Sequence, residues 1–338
     1  MCGIRLKCLH ICFFFATFAK FCGLKREDVV NKSLQNTMLG IIINPKSGKR
    51  AFRAQRLYLW KLLKARRQPF IYRVTKYANH AIELARELVE EKGCTQILVL
   101  GGDGTLSEVI NGIMRANLTA EQRANIQFGL MPRGTGNDFA KDLGKDGWGK
   151  PFSITKYIKN LPSVEVKGKT YRFINGVGFG IDGYCCQVGD ELKKIPGKKV
   201  NYAGIAIKGL LFSFAPRNAK VTVDGKEYTY RKVWIAPTMC GRYYGGGMIP
   251  APLQRRTDPE RKLSVTIFGG AGRLRTLCVF PSIFKGEHVK HTKQVAVHTG
   301  HEITVTFDRP TPLQIDGETI VGVKSYRALS KLPAKVNV

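Results

Sequence analysis

No apolar stretch of the 338-residue chain reaches the ~18 residues that a membrane-spanning helix needs. The nearest, residues 9–19, follows Arg5 and Lys7 and resembles the apolar core of a signal peptide. Lys20 comes directly after it, with no small-x-small cleavage pattern, and Met38 stands just before the first core strand. Residues 1–37 are therefore read as an extension: disordered, signal-like or a wrongly assigned start. Acidic residues are scarce, 25 Asp+Glu against 55 Lys+Arg, for a net charge of +30. That excess predicts affinity for polyanions, whether nucleotide phosphates, an anionic membrane or nucleic acid. The chain lacks a concentrated basic stripe and a recognisable nucleic-acid motif, so no specific nucleic-acid partner is expected. A disulfide framework is also missing. Four of the nine cysteines lie in the first 22 residues, and Cys94, Cys185, Cys186, Cys240 and Cys278 are an odd set without metal-ligand spacing. They read as reduced thiols, with Cys185-Cys186 a core pair on a strand or helix. His288 and His291 have i, i+3 spacing but no acidic or Cys partner nearby to complete a metal set. No Ser/His/Asp arrangement, internal repeat or low-complexity segment is visible.

What is present is organised around residues 97–108. Ile97-Leu98-Val99-Leu100 reads as a short buried strand, and Gly101-Gly102-Asp103-Gly104 follows at once. Leu106, Val109, Ile110, Ile113 and Met114 then share one helix face, and Thr105 and Glu108 have capping-box spacing that predicts a helix start at Thr105. Glycines where a strand meets a helix let backbone approach a phosphate, which the free N–H groups and the dipole favour. Asp103 fits that site by acting through Mg²⁺, orienting a hydroxyl or taking a proton.

Residues 39–43 form a second buried strand, ending in Asn44-Pro45-Lys46-Ser47-Gly48-Lys49. This is no Walker A loop, because the spacing from Gly40 to Gly48 is wrong and Arg50 replaces the Ser/Thr. Helices are expected over 51–67 and 79–91, the latter ended by Gly93, and strands over 70–75 and 128–131. Strand alternating with helix predicts a doubly wound parallel sheet, in which ligands bind at the carboxyl ends of the strands. The polar loops 44–49, 101–105 and 132–138 all fall there. After about residue 163 the segments 171–179, 219–223, 227–236, 263–268, 294–298, 302–307 and 311–315 are rich in Val, Ile, Thr, Tyr and Phe. They predict an antiparallel β-sandwich with a hairpin turn at Asp224-Gly225, one helix over 202–214 and a second near 274–284. Asp316-Gly317-Glu318 reads equally well as a plain hairpin turn and as two carboxylates beside a bound alcohol.

In order, Asn44-Pro45-Lys46-Ser47-Gly48, Gly101-Gly102-Asp103-Gly104-Thr105 and Gly134-Thr135-Gly136-Asn137-Asp138-Phe139-Ala140 resemble the signature of the diacylglycerol kinase catalytic-domain family. That family includes soluble bacterial lipid kinases and is related to the sphingosine and ceramide kinases. The likeness continues through Gly178-Phe179-Gly180, Gly241-Arg242-Tyr243-Tyr244-Gly245-Gly246-Gly247, Phe284-Lys285-Gly286-Glu287-His288 and Asp316-Gly317-Glu318. It implies a Rossmann-like nucleotide-binding α/β domain over 38–162, completed by about 325–338, and a β-sandwich lipid-substrate domain over 163–324, with ATP in the cleft between them.

By motif match the resemblance implies that Asn44, Pro45, Lys46, Ser47, Gly48, Thr75, Gly101, Gly102, Asp103, Gly104, Thr105, Leu106, Ser107 and Thr135 contact ATP. Asp103 is then the essential acid on Mg²⁺-nucleotide and Glu318 the proton acceptor, with Asp316 a second candidate; the residues alone do not separate those two. The resemblance also implies a structural Mg²⁺, which bacterial relatives hold with an Asp followed by Gly in the β domain and nearby backbone carbonyls. Asp258 matches that Asp, but Pro259 follows it, after a short insertion.

The expected activity is transfer of the ATP γ-phosphoryl group to a lipid hydroxyl, diacylglycerol giving phosphatidic acid. The alternatives are a sphingoid or other lipid substrate, an NAD kinase, which shares Gly-Gly-Asp-Gly-Thr, and a nucleic-acid-binding protein on a degenerate kinase fold. The stretches 134–140 and 243–247 argue against NAD kinase. The protein is expected to be cytoplasmic and peripherally bound to an anionic membrane through Lys193, Lys194, Lys198, Lys199 and the apolar run 210–215; a second copy of the chain is a further expected partner.

Overall fold

The computed structural model describes residues 38–48, 52–66, 68–145, 150–195 and 200–331. Lys49, Lys198, Lys199, the 1–37 extension and residues 332–338 lie outside the described residues. The chain divides into two compact units, Met1–Thr135 with Asp146–Lys159, and Gly136–Lys145 with Asn160–Val338.

The first unit is built on β1 (Leu39–Ile43), α1 (Phe52–Arg66), β2 (Phe70–Val74), α2 (His80–Glu90), β3 (Gln96–Gly101), α3 (Asp103–Met114), α4 (Ala120–Asn125) and β4 (Gln127–Pro132). The chain then leaves for α5 (Asp138–Asp142), which belongs to the second unit, and returns with β5 (Phe152–Ser153) and α6 (Thr155–Ile158). Strand order is β2-β1-β3-β4-β5. Pairs β1/β2, β1/β3 and β3/β4 are parallel, and β5 joins β4 antiparallel. Every residue of β1 and β3 is buried, as their unbroken apolar runs require in a sheet covered on both faces. β2 lies at the edge and alternates exposed with half-buried residues. Because β1 is followed by β2 on one side and β3 lies on the other, the strand order reverses between β1 and β3. Their carboxyl ends flank the crevice where ligands bind in such sheets.

One expectation fails here. α3 begins at Asp103 with Gly102 as its N-cap and no side-chain cap bond, so Thr105 lies inside the first turn. Glu108 serves the neighbouring helix instead, accepting from Ala81 N at 3.1 Å at the start of α2.

The second unit adds β6 (Ser163–Val166), β7 (Lys169–Arg172), β8 (Gly176–Phe179), α7 (Ile181–Lys193), α8 (Tyr202–Lys208) with a π turn over Gly209–Ser213, β9 (Arg217–Val223), β10 (Lys226–Val233), β11 (Thr238–Met239), β12 (Leu263–Phe268), α9 (Arg273–Val279), two 3₁₀ turns over Phe280–Lys285 and Glu287–Lys290, β13 (Val295–Gly300), β14 (Glu302–Ile315) and β15 (Glu318–Leu329). Its strands run β13-β12-β11-β8-β14-β15-β6-β7, with β9 on β14 and β10 on β9, all antiparallel. Val177, Phe179, Val221, Val265, Val305, Phe307 and Leu313 fill its core, where Phe179 stacks on Phe307 with ring centroids 4.1 Å apart. Asp224 and Gly225 turn β9 into β10 with φ of 47° and 83°, the positive pair that a two-residue hairpin turn demands.

The sequence reading differs in several places. Segment 171–179 splits into β7 and β8. Segments 302–307 and 311–315 join as β14, whose register shifts between Thr306 and Thr311 absorb Pro310. Helix α7 and strands β6, β11 and β15 have no counterpart in the expected elements. Residues 325–329, expected to return to the first domain, run at the end of β15 in the second unit.

Candidate active site

In the first unit the loop after β1 and the loop after β3 are joined by side chains. Asn44 N donates to Leu100 O at 2.9 Å, and Asn44 Nδ2 donates to Thr105 Oγ1 at 2.8 Å. Asn44 Oδ1 accepts from Lys46 N at 2.9 Å, and Ser47 Oγ accepts from Gly102 N at 3.4 Å. Thr75 is buried and donates its N–H to Ile43 O at 2.9 Å, extending the β1–β2 ladder to the same end of the sheet. Arg133 N donates to Gly101 O at 2.9 Å, so the loop after β4 arrives there too. Asn44, Ser47, Thr75, Gly101, Gly102 and Thr105 are thus brought together.

Gly102 has no room for a side chain, since a Cβ would lie 2.8 Å from the Gly134 Cα. Beside it, a Cβ on Gly104 would meet nothing within 4 Å, so the first turn of α3 has open space on that side. The first intrahelical bond is Leu106 N to Gly102 O at 3.1 Å. The N–H groups before it belong to the helix terminus that attracts anions. A phosphate chain fits this cradle. Asp103 is the first helical residue and is half-buried. Leu106 and Ser107 are buried, the former wholly, so its side chain serves the core. Thr135, the last residue of this part of the unit, is exposed. Sequence reasoning passed over Arg133, fully buried directly after β4, whose burial lowers its pKa. A charged residue between a buried strand and a glycine is the signal that could have found it.

In the second unit four carboxylates each fasten a loop. Asp316 sits in a left-handed conformation, φ 49°, and its carboxylate accepts from Ile174 N at 2.6 Å, Asn175 N at 2.9 Å and Gly176 N at 3.2 Å. Asp142 takes Arg256 Nε at 2.9 Å and Arg242 Nε at 3.0 Å, and Arg256 also donates to Asn175 Oδ1 at 3.0 Å. Asp138 accepts from Gly246 N at 2.7 Å. Asp182, buried on α7, accepts from Tyr244 Oη at 3.2 Å and is hydrogen-bonded by the Gln314 side chain; burial pushes its pKa up to about 6. Glu318 opens β15 and is half-buried. Asp138, Asp142 and Asp182 were not singled out from sequence, because their partners lie 62 to 114 residues away.

Asp258 is half-buried and its Oδ1 accepts from Glu260 N at 3.0 Å, a local turn. Among the described residues no three His, Cys, Asp or Glu side chains gather as a metal set. Of the expected membrane contacts, Leu210 and Phe214 are buried in a core cluster, and Lys193 pairs with Asp190 at 2.9 Å. No helix among the described residues is long and apolar enough to cross a membrane.

Comparison with known proteins agrees with this geometry. Residues 38–167 match the diacylglycerol kinase catalytic domain, and residues 175–338 match the YegS C-terminal NAD kinase beta sandwich-like domain. Over 316 residues the chain is 25% identical to "Putative lipid kinase YtlR" of Bacillus subtilis (strain 168), covering 86% of this chain and 95% of that protein. Over 228 residues it is 29% identical to a Staphylococcus aureus (strain Newman) protein that also bears a lipid kinase name, covering 66% and 70%. Among solved structures, a diacylglycerol kinase from Bacillus anthracis str. Sterne superposes with a TM-score of 0.59 at 18% identity, covering 89% of this chain and 96% of that one. At that identity the likeness speaks for the fold alone. With the catalytic-domain match spanning the loops after β1 and β3 and the sandwich match spanning most of the second sheet, the chain carries a diacylglycerol kinase catalytic domain followed by a YegS C-terminal-like domain and is a kinase of the lipid-kinase type.

Proposed function

We propose that this kinase transfers the γ-phosphoryl group of ATP to the free hydroxyl of diacylglycerol, giving phosphatidic acid. The observation that carries the reading is the joining of Asn44–Thr105 and Ser47–Gly102 at the strand-order reversal, around an open helix N-terminus. Bound Mg²⁺-ATP supplies the phosphoryl group. Asn44, Ser47 and the Gly102–Thr105 amides hold the phosphates, Lys46 adds charge, and Asp103 holds the nucleotide-bound metal ion. Glu318 takes the proton from the lipid hydroxyl as its oxygen bonds to the γ-phosphorus and the bond to the β,γ-bridging oxygen breaks. Asp316 is a poor base by comparison, because three backbone N–H groups already occupy its carboxylate.

The enzyme reaches its lipid from an anionic bilayer surface. Phe212 is 73% exposed, Leu274 76% and Ile207 51%. Arg273 Nη1 donates to Leu210 O and Phe214 O at 2.8 and 3.0 Å, so α9 and the π turn form one face. Segments 202–217 and 272–286 hold Lys208, Arg217, Arg273, Arg275 and Lys285 and no Asp or Glu. Exposed large apolar side chains among positive charges alone suit an anionic lipid surface.

The test is phosphorylation with labelled ATP of micelles containing diacylglycerol, phosphatidylglycerol, a sphingoid base or ceramide, with NAD in parallel. Label in phosphatidic acid, abolished by Asp103→Asn at an unchanged melting temperature, is expected. Label in NADP alone, or salt-sensitive duplex binding without turnover, overturns the reading; label in another lipid replaces the substrate and keeps the mechanism.

A further inference from the structure

The turn that carries Glu318 is held from below by one helix. Gln314 Oε1 accepts from Gly317 N at 2.7 Å, and the other end of that side chain hydrogen-bonds Asp182 in the first turn of α7. Two turns further along the same helix, Asp190 Oδ2 accepts from Thr319 Oγ1 at 2.9 Å. Helix α7 therefore grips the chain on both sides of Glu318, once before it and once after. The grip is built in. Gly183 lets the helix approach β14 so closely that a Cβ would stand 2.0 Å from Pro312 O. Gly178, opposite Gln314 in the β8–β14 ladder, leaves the space that the Asp182 carboxylate fills, where a Cβ would come within 1.6 Å of Oδ2. Asp182 and Gln314 are both buried, so water does not compete for their bond.

We propose that Asp182 is a positioning residue for phosphoryl transfer, acting through Gln314 to fix the Gly317–Glu318 backbone in the conformation that presents the Glu318 carboxylate. This rests on the reading of Glu318 as proton acceptor. Asp182 Oδ2 accepts from Tyr244 Oη, and the Gln314 amide also hydrogen-bonds the carboxylate. An Asn there lacks the negative charge that strengthens both bonds, which loosens Gln314 and its hold on Gly317 N.

The test compares Asp182→Asn, Gln314→Met and the double variant. Each single variant is expected to lower kcat at least tenfold with KM for ATP within twofold of wild type. Because both act through one relay, the double variant loses no more than the worse single. Amide hydrogen exchange over residues 315–319 quickens in both singles. A wild-type kcat in Gln314→Met, or losses that multiply in the double variant, overturns the proposal. If Asp182→Asn does not fold, Gln314→Met alone carries the test in both readouts. If the wild-type protein phosphorylates no lipid, the functional reading fails, and unchanged exchange over 315–319 is what would refute the brace itself.

Discussion

The Asn44 side chain bridges the loops after β1 and β3: its amide donates to Thr105 Oγ1 at 2.8 Å while its carbonyl accepts from Lys46 N at 2.9 Å. One residue thereby orders the loop after β1 and the first turn of α3 together. Replacing it with alanine removes both bonds and leaves the fold of the buried strands untouched. Asn44→Ala is expected to weaken ATP binding about tenfold, the ~1.4 kcal/mol worth of an ordered polar contact, with a small change in melting temperature. Calorimetric titration with ATP measures it. Unchanged affinity would mean the loops hold their geometry without this bridge.

The two carboxylates of the turn should separate by their symptoms. Asp316 satisfies three buried-side amides at 2.6 to 3.2 Å, so Asp316→Asn points an NH₂ at donors. It is expected to cost about 1.5–3 kcal/mol of stability, read by denaturant unfolding. Glu318→Gln keeps size and polarity, and should unfold like wild type while losing roughly 10²–10⁴ in kcat. The reverse pattern, a stable and inactive Asp316→Asn beside an active Glu318→Gln, would move the base to Asp316.

The elements that were legible in the sequence are those whose pattern is enforced locally. β1 and β3 show as unbroken apolar runs because both faces of each strand are covered, and α3 shows because Leu106, Val109, Ile110 and Ile113 are buried on one face. The Asp224-Gly225 hairpin shows because two residues must take positive φ. Thr105 and Glu108 mislead because the capping-box spacing is met while both side chains bond elsewhere, to Asn44 and to Ala81. Helix α7 is masked by Gly183 and Gly189, poor helix formers kept for close approach to β14 and to Tyr202. The site's loops after β1 and β3 were visible as glycine and polar residues at strand ends. The Asp142, Asp138 and Asp182 anchors were not, since each depends on a partner brought near only by the folded sheet.

The apolar face over the π turn and α9 has a direct physical test. Burying Phe212 and Leu274 in a bilayer recovers their transfer free energy, and each nearby Lys or Arg adds about 1 kcal/mol at an anionic surface. Phe212→Glu with Leu274→Glu is expected to reduce co-sedimentation with vesicles containing phosphatidylglycerol at least tenfold. Turnover of a short-chain, water-soluble diacylglycerol should stay within twofold of wild type. Binding to zwitterionic vesicles should be weak for both proteins, and high salt should lower the wild type toward the variant. Equal sedimentation of the two would remove this face from membrane docking.

Asp182 also ties stability to pH, and the direction follows from its surroundings. Burial raises its pKa from 3.8 to about 6, against hydrogen bonds from Tyr244 and Gln314 that favour the charged form. The folded state therefore binds this proton more tightly than the unfolded chain. The stabilisation is fully present below about pH 4 and is lost as pH rises through about 6. The ionisable groups coupled to it, Tyr244, Cys185, Cys186 and Tyr326, are all pushed upward by burial and stay neutral across that range. Asn at this position cannot titrate. The stability difference between wild type and Asp182→Asn should shrink by about 3 kcal/mol between pH 4 and pH 7.5, because only the wild type comes to carry a buried charge. Denaturant unfolding of both proteins at several pH values measures the slope. Parallel curves would mean that Asp182 titrates as an ordinary surface carboxylate, which its burial on α7 rules against.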